Sequence, residues 1–362
     1  NPALAIAEII KEHRPDAEFA FAGNPKKLEA TIIPKAGYRF EGINVEGIQR
    51  KPSLENVKKN IHAIGCLMKT GPRSKEIIKD FKPDLVIGTG GYVSGPVLRK
   101  AQQMGIPTAI HEANAFAGVT TKLLSKKADA IMLTVKDTKN LDPKVMSKVT
   151  VTGLPVRKAF EAMSKAQAKE KLGFAQDEVC VLSCGGSLGA QTINESVLKL
   201  LKWYKDKGIV VNHIHSYGTY QGYKDYPDRL KALGIDTEND KRRLVSDYIN
   251  MPVCMAAADL VISRCGASTL IELEAIGRGA VLIPSPHVAE NHQYHNGMVL
   301  ENAGAGKVIE EKDLTDELFI KTVSELIKDK GKLEELGRNC SSLYIKDTND
   351  RIWGVLEKLI KK

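Results

Sequence analysis

The sequence predicts an α/β protein built from two doubly wound, Rossmann-like parallel-sheet domains. Three observations predict it. Short runs rich in Val and Ile recur along the chain, each run ends in glycine or a polar turn, and helical patterns alternate with the runs. Near-continuous apolar strands separated by helices belong to parallel sheets covered on both faces.

The chain opens with NPALAIAEIIKEH, which reads as a helix. Asn1 can cap free N–H groups and Pro2 is pre-set for a first helical turn. Ala3, Leu4, Ile6, Ala7, Ile9 and Ile10 give it a wide apolar face, so it is expected to be buried. A doubly wound domain begins strand, turn, helix, so a strand and a loop are expected ahead of Asn1. Strand-like runs then follow as AEFAFAG, PDLVIGTGG, IPTAIHE, ADAIMLTV and KVTVTG. Near VTGLPVRKAF, Gly153 and Pro155 break the pattern, which places a short hinge there. The second set of runs is EVCVLSCGG, IVVNHIHS, RRLVSDYI, ADLVISRCG and GAVLIPSP. The domains are therefore expected at 1–154 and 155–344, facing a cleft at the strands' carboxyl ends. The final helix, about 345–362, has Ile352, Val355, Leu356 and Leu359 on one face with which to pack back on the first domain.

At 362 residues the chain is long enough for two cores. Its six cysteines (66, 180, 184, 254, 265 and 340) form no CxxC pair, so they read as reduced thiols of a cytoplasmic protein and not as disulfides or a zinc site. No run approaches the ~18 apolar residues of a membrane span. Net charge is +9, and its placement is uneven. Residues 1–155 carry 24 Lys and Arg against 15 Asp and Glu, while the remainder carries 29 of each. That asymmetry points to an anionic partner for the first half. Aromatics are 6% of the chain and do not interleave with the basic residues, which disfavours nucleic acid.

Several motifs could carry chemistry. LVIGTGGYVSGPVLRK (85–100) is strand, glycine loop and helix, with a helix N-terminus able to hold an anion. CVLSCGGSLGAQTINESV (180–197) repeats the arrangement in the second half. Glycine turns also join strands to helices for packing alone, but two such loops favour a diphosphate or nucleotide. HEANAFAG (111–118) puts His111, Glu112 and Asn114 at a strand's carboxyl end, as ligand contacts or as a self-bonded loop. In SRCGASTLIELEAIG (263–277), Glu272 could accept two ribose hydroxyls or merely complement the helix dipole. Cys265 has no partner pattern for a nucleophile. HVAENHQYHNG (287–297) holds three His and a Glu but lacks the H-E-x-x-H logic, and Pro284 and Pro286 suggest a loop, so no metal site is expected. Over 53–84, Leu54, Val57, Ile61, Ile64, Leu67 and Met68 recur at helical spacing beside Lys58, Lys59, Lys69, Arg73 and Lys75. This suits an interfacial helix on anionic lipid, or a core-packed helix with a solvated basic back.

GTGGYVSGP, IHEANAFAG, VTGLPVR, CGGSLGAQTINE, CGASTLIELEAIG and ENHQYHNG, in that order, resemble the MurG family over essentially the whole chain. Its members are UDP-N-acetylglucosamine:N-acetylmuramyl-(pentapeptide) pyrophosphoryl-undecaprenol N-acetylglucosaminyltransferases. The resemblance implies the two-domain GT-B fold, with the nucleotide sugar on the second domain and the lipid-linked acceptor, lipid I, on the first. It also implies a GGTGGH-type loop before the first helix, whose His would be the general base.

By match to the family's motifs, Ser187 contacts the diphosphate with Arg157 near it. The main chain of Ile249 meets uracil, and Glu272 binds the ribose within the stretch Ala267, Ser268, Thr269, Leu270 and Ile271. Gln293 contacts the sugar hydroxyls and Asn114 reaches the N-acetylglucosamine. His111 and Glu112 are the implied catalytic residues on the acceptor side, and Gly90 and Gly91 face the acceptor diphosphate. The implied reaction is a single inverting displacement without cofactor or metal, forming lipid II for peptidoglycan. Implied partners are UDP-N-acetylglucosamine, lipid I, the anionic cytoplasmic face of the cell membrane and other proteins of cell-wall synthesis. Alternatives are a lipid glycosyltransferase for another sugar or acceptor, a UDP-sugar epimerase, and a non-catalytic nucleotide-sugar-binding scaffold.

Overall fold

The computed structural model describes residues 2–45 and 70–360. The greater part of the basic amphipathic stretch, Leu54 to Lys69, and Cys66 lie outside the described residues. The chain divides into two units, Asn1–Pro155 with Asp347–Lys362, and Val156–Lys346.

The first unit runs α1 (Pro2–His13), β1 (Ala20–Gly23), α2 (Glu29–Lys35), β2 (Arg39–Gly42), α3 (70–81), β3 (Val86–Gly88), α4 (Gly91–Gln103), β4 (Thr108–Glu112), α5 (Val119–Leu124), β5 (Ala130–Leu133) and β6 (Val149–Val151). β1 pairs with β2, and β3, β4, β5 and β6 form a second sheet in that order, all parallel. Alternation along each strand sorts its side chains to two faces. Ala109, Ala130 and Met132 pack under Ile6, Ile9 and Ile10 of α1, whereas Ile110, Ile131 and Leu133 meet Leu98 of α4 and Leu124 of α5. Burying one such side chain is worth about 2 kcal/mol, so the three isoleucines contribute to holding α1 on the sheet.

The second unit runs α6 (Lys165–Leu172), β7 (Cys180–Cys184), α7 (Gln191–Lys207), β8 (Asn212–Ser216), α8 (Tyr226–Ala232), β9 (Arg243–Ser246), α9 (Met251–Ala257), β10 (Leu260–Ser263), α10 (Ala267–Ile276), β11 (Gly279–Leu282), α11 (His292–Asn302), β12 (Gly306–Val308), α12 (Asp316–Lys328) and α13 (Lys330–Ser341). Its six strands form one parallel sheet in the order β12-β11-β10-β7-β8-β9. Cys180, Leu182, Val261, Ala280 and Leu282 face α9, α10 and α13, while Val181, Leu260, Ile262 and Val281 face α7, α8 and α12. The last helix, α14 (Thr348–Ile360), belongs to the first unit, where Ile352, Leu356 and Leu359 join the core beside α1 and Trp353 stacks on His13.

Every run read as a strand contains one. Two strands went unread, β2 (RFEG) and β12 (GKV). Neither carries an apolar run: Arg39 and Glu41 interrupt the first, and the second is Gly306, Lys307 and a single Val308.

One polar cluster sits inside the second core. The Ser183 hydroxyl lies 2.8 Å from both His213 Nε2 and His215 Nδ1, and all three residues are buried. A hydroxyl has one proton to give, so it donates to one neutral ring and accepts N–H from the other. Burial depresses both imidazoles, His215 to about 3 and His213 well below its ordinary 6.5. Because the folded values lie below the unfolded ones, this stability is complete above pH ~6.5 and is lost as pH falls toward the folded values. Urea unfolding of the second unit is therefore expected to weaken by up to about 1.4 kcal/mol per pH unit per histidine below that point. A His215→Phe variant should show a shallower dependence, and a pH-independent wild type would refute the assignment.

Candidate functional site

Parallel strands joined by helices bring strand carboxyl ends and helix amino ends to one edge of each sheet. In each unit the predicted site residues gather along that edge.

In the first unit, Gly90 and Gly91 lie between β3 and α4 with φ of +87° and +78° and open space where a side chain would stand. Gly90 supplies no side-chain cap, so the first N–H groups of α4 remain for a ligand. The HEANAFAG residues behave differently from expectation. His111 and Glu112 are 0% and 3% exposed. His111 Nε2 donates to the Gly153 carbonyl at 2.9 Å, and burial lowers its pKa and keeps the ring neutral. Glu112 Oε1 accepts from the Asn114 main-chain and side-chain N–H groups, both at 3.1 Å. Its Oε2 accepts from Gly118 N at 3.1 Å and the Thr121 hydroxyl at 2.6 Å. Both side chains are thus engaged within the fold, His111 tying β4 to Gly153 and Glu112 folding the 113–121 loop. Asn114 is half-buried, in contrast to the buried His111 and Glu112.

In the second unit, Ser187 is exposed in the Gly185–Gly189 loop before α7. α7 begins behind Ala190 and α10 behind Gly266, neither of which supplies a side-chain cap, and α11 begins behind Asn291 with none formed. By contrast α6, α9, α12 and α13 are capped by Ser164, Asn250, Thr315 and Asp329. The uncapped helices keep their first-turn N–H groups and positive dipole ends unspent.

Ala267, Ser268 and Thr269 form the first turn of α10, whereas the Leu270 and Ile271 side chains are core residues and the Leu270 N–H is committed to the Gly266 carbonyl. Glu272 follows on the same helix, largely buried, with its Oε1 3.3 Å from Arg157 Nη2. Burial raises the Glu272 pKa and Arg157 opposes that rise. The Arg157 guanidinium also lies 4.8 Å from the Phe160 ring centre. Ile249 buries its side chain, leaving its main chain in the loop between β9 and α9. Gln293 accepts the Ser285 N–H at 2.8 Å, so its amide –NH2 is the half available to a ligand.

One further expectation changes. Residues 292–302 are helix α11, where a loop was expected, because Asn291 in the left-handed region (φ 50°) turns the chain into a new helix after the prolines. Cys265 is buried and its thiol is pushed up to about 12 by burial, so it is inert. Among the described residues no group of three or more His, Cys, Asp or Glu is arranged to hold a metal.

The sequence reading missed the 217–220 loop. Thr219 N and Oγ1 both donate to the Ser187 carbonyl, at 3.0 and 3.1 Å, and Tyr220 N donates to the Leu188 carbonyl at 3.3 Å. The signal available was Gly218, directly after the strand run IVVNHIHS.

The Glu112 network predicts a stability effect. Glu112→Ala leaves buried donors without an acceptor and should destabilise the first unit by about 2–4 kcal/mol in urea unfolding, with Glu112→Gln intermediate. A loss under about 0.5 kcal/mol would mean that the loop does not depend on this carboxylate.

Two family models match the chain, the glycosyltransferase family 28 N-terminal domain over residues 1–133 and the family 28 C-terminal domain over residues 179–352. A UDP-N-acetylglucosamine--N-acetylmuramyl-(pentapeptide) pyrophosphoryl-undecaprenol N-acetylglucosamine transferase of Acetivibrio thermocellus is 40% identical over 100% of this chain and 95% of that protein. Transferase 1 of the same name from Bacillus cereus is 38% identical over 100% of this chain and 96% of its own. Among solved structures, Acinetobacter baumannii MurG matches with a TM-score of 0.76 at 24% identity, over 99% of this chain and 95% of that one. The UDP-GlcNAc 2-epimerase of Neisseria meningitidis, bound to UDP-GlcNAc, matches at 0.64 with 16% identity, over 98% and 95%. These last two establish the two-domain α/β GT-B fold. At 40% identity across its whole length, the chain belongs to the glycosyltransferase family 28 transferases of the UDP-N-acetylglucosamine--N-acetylmuramyl-(pentapeptide) pyrophosphoryl-undecaprenol type.

Proposed function

We propose that this protein transfers N-acetylglucosamine from UDP-N-acetylglucosamine to the 4-hydroxyl of N-acetylmuramate in lipid I, producing lipid II and UDP. The full-length match to transferases of that name carries the reading. The donor is bound by the second unit: the uncapped start of α7 and the Ser187 loop take the diphosphate, Glu272 the ribose hydroxyls and the Ile249 main chain the uracil. Arg157 beside Glu272 adds positive charge near the departing phosphates.

The reaction is one inverting displacement. The acceptor hydroxyl forms a bond to the anomeric carbon as the bond to the UDP oxygen breaks, and the hydroxyl proton passes to a base. Neither His111 nor Glu112 supplies that base, since both are buried and hydrogen-bonded within the fold. Negative charge grows on the leaving diphosphate in the transition state. Main-chain N–H groups fixed before the reaction meet it without reorganisation, and each well-placed donor is worth ~3 kcal/mol.

The first unit meets the acceptor and the membrane surface. Among the described residues no helix is long and apolar enough to cross a membrane. On α5, Val119 and Leu123 lie four residues apart on one face, 50% and 70% exposed, with exposed Lys122, Lys126 and Lys127 around them. Exposed apolar side chains ringed by lysine suit peripheral attachment to anionic lipid at the cytoplasmic face. Leu123→Glu should reduce co-sedimentation with phosphatidylglycerol vesicles several-fold at unchanged thermal stability. Wild-type-like sedimentation would remove α5 from the contact.

Transfer itself is tested with labelled UDP-N-acetylglucosamine and a short-chain lipid I analogue. Label is expected in the lipid product, with Glu272→Ala losing at least about tenfold in kcat/KM through donor binding. Saturable donor binding without transfer would indicate a scaffold or another acceptor, and donor consumption without acceptor an epimerase.

A further inference from the structure

The loop that follows β8 lies directly against the glycine loop that follows β7, and the two are too close for side chains between them. A Cβ at Gly189 would stand 2.0 Å from the Tyr217 carbonyl oxygen, and one at Gly218 would stand 2.1 Å from Gly189 N. Both residues also sit in the left-handed region, at φ +83° and +91°. Behind this contact, Asn194 of α7 is buried and donates through Nδ2 to the Tyr217 carbonyl at 3.0 Å, and the Tyr226 hydroxyl donates to the Asn194 carbonyl at 3.0 Å. The 217–220 loop is therefore anchored from below by the core and presses on the Ser187 loop from the side.

What it grips is a peptide plane. The Ser187 carbonyl accepts two hydrogen bonds from one residue, Thr219, through N and Oγ1. In a trans peptide the C=O and the following N–H point in opposite directions. Holding the Ser187 carbonyl toward Thr219 therefore turns the Leu188 N–H away from it. Tyr220 N fixes the next carbonyl, that of Leu188, in the same way. The Leu188 N–H donates to no described residue, and it lies beside the uncapped start of α7. Left unbraced, a glycine-rich loop can flip this peptide and present a carbonyl where a donor is needed.

We propose that Thr219 is a positioning residue for the donor's diphosphate: its double hydrogen bond to the Ser187 carbonyl orients the Leu188 N–H to receive a phosphate oxygen. The inference rests on the donor site placed above in the second unit and assigns the 217–220 loop a part in it. The Thr219 side chain is exposed, so its replacement is expected to leave the fold intact.

Calorimetric titration with UDP and with uridine separates this role from a merely structural one, since uridine carries the base and ribose but no phosphate. Thr219→Val, which removes only the hydroxyl bond, is expected to raise the Kd for UDP about three- to tenfold and to leave that for uridine unchanged. Thr219→Ser should restore UDP binding, and Gly218→Ala, which forces the two loops apart, should weaken UDP more than Thr219→Val does. Equal effects on UDP and uridine, or unchanged UDP binding in Thr219→Val, would overturn the role of Thr219. A wild-type protein that binds neither ligand would overturn the donor site itself, and the role of Thr219 with it.

Discussion

The architecture depends on one constraint: a parallel strand cannot turn directly into its neighbour and must return through a crossover, here usually a helix. That return puts strand carboxyl ends and helix amino ends on the same edge of each sheet. Every helix amino end leaves main-chain N–H groups without internal partners. The protein deals with them in two ways. Where α6, α9, α12 and α13 begin, a Ser, Asn, Thr or Asp side chain closes the helix. Where α4, α7, α10 and α11 begin, no such cap forms, and a patch of oriented donors is left at the sheet edge. An anion is the partner those groups fit.

Polar groups beneath that edge are spent on holding it still. Glu112 uses both carboxylate oxygens to fold the loop after β4, and His111 reaches the Gly153 carbonyl. In the second unit Gln293 braces Ser285, and Asn194 braces Tyr217. Displacement of a diphosphate leaving group needs donors already aimed at the growing charge, because reorienting a loop during the reaction would cost part of what the donors supply. A rigid layer of side-chain hydrogen bonds under a layer of open main-chain donors satisfies that need.

Much of this was legible in the sequence. Buried strands such as CVLSC and AIML announce themselves because both faces meet helices, and glycines between strand and helix locate the ligand edge. Strands RFEG and GKV were invisible because neither carries an apolar run: Arg39 and Glu41 interrupt one, and the other is Gly, Lys and a single Val. Glu112 was legible as a polar residue at a strand's carboxyl end but not as a group turned inward, since the direction of a carboxylate depends on donors up to nine residues away. His292 to Asn302 was masked as a helix by the prolines before it, because the left-handed turn at Asn291 is not written in composition. Thr219 was out of reach for a further reason: its partner lies 32 residues earlier, and only sheet register brings β7 and β8 side by side.

In the proposed function, main-chain donors of the second unit, with Arg157 adding charge nearby, receive the nucleotide's diphosphate. A crystal structure of the protein with UDP tests this most directly. It should show phosphate oxygens within hydrogen-bond distance of the Leu188 N–H and the first-turn N–H groups of α7, with the ribose on Glu272. A nucleotide seated on the first unit, or a diphosphate held only by lysine and arginine side chains, would contradict it.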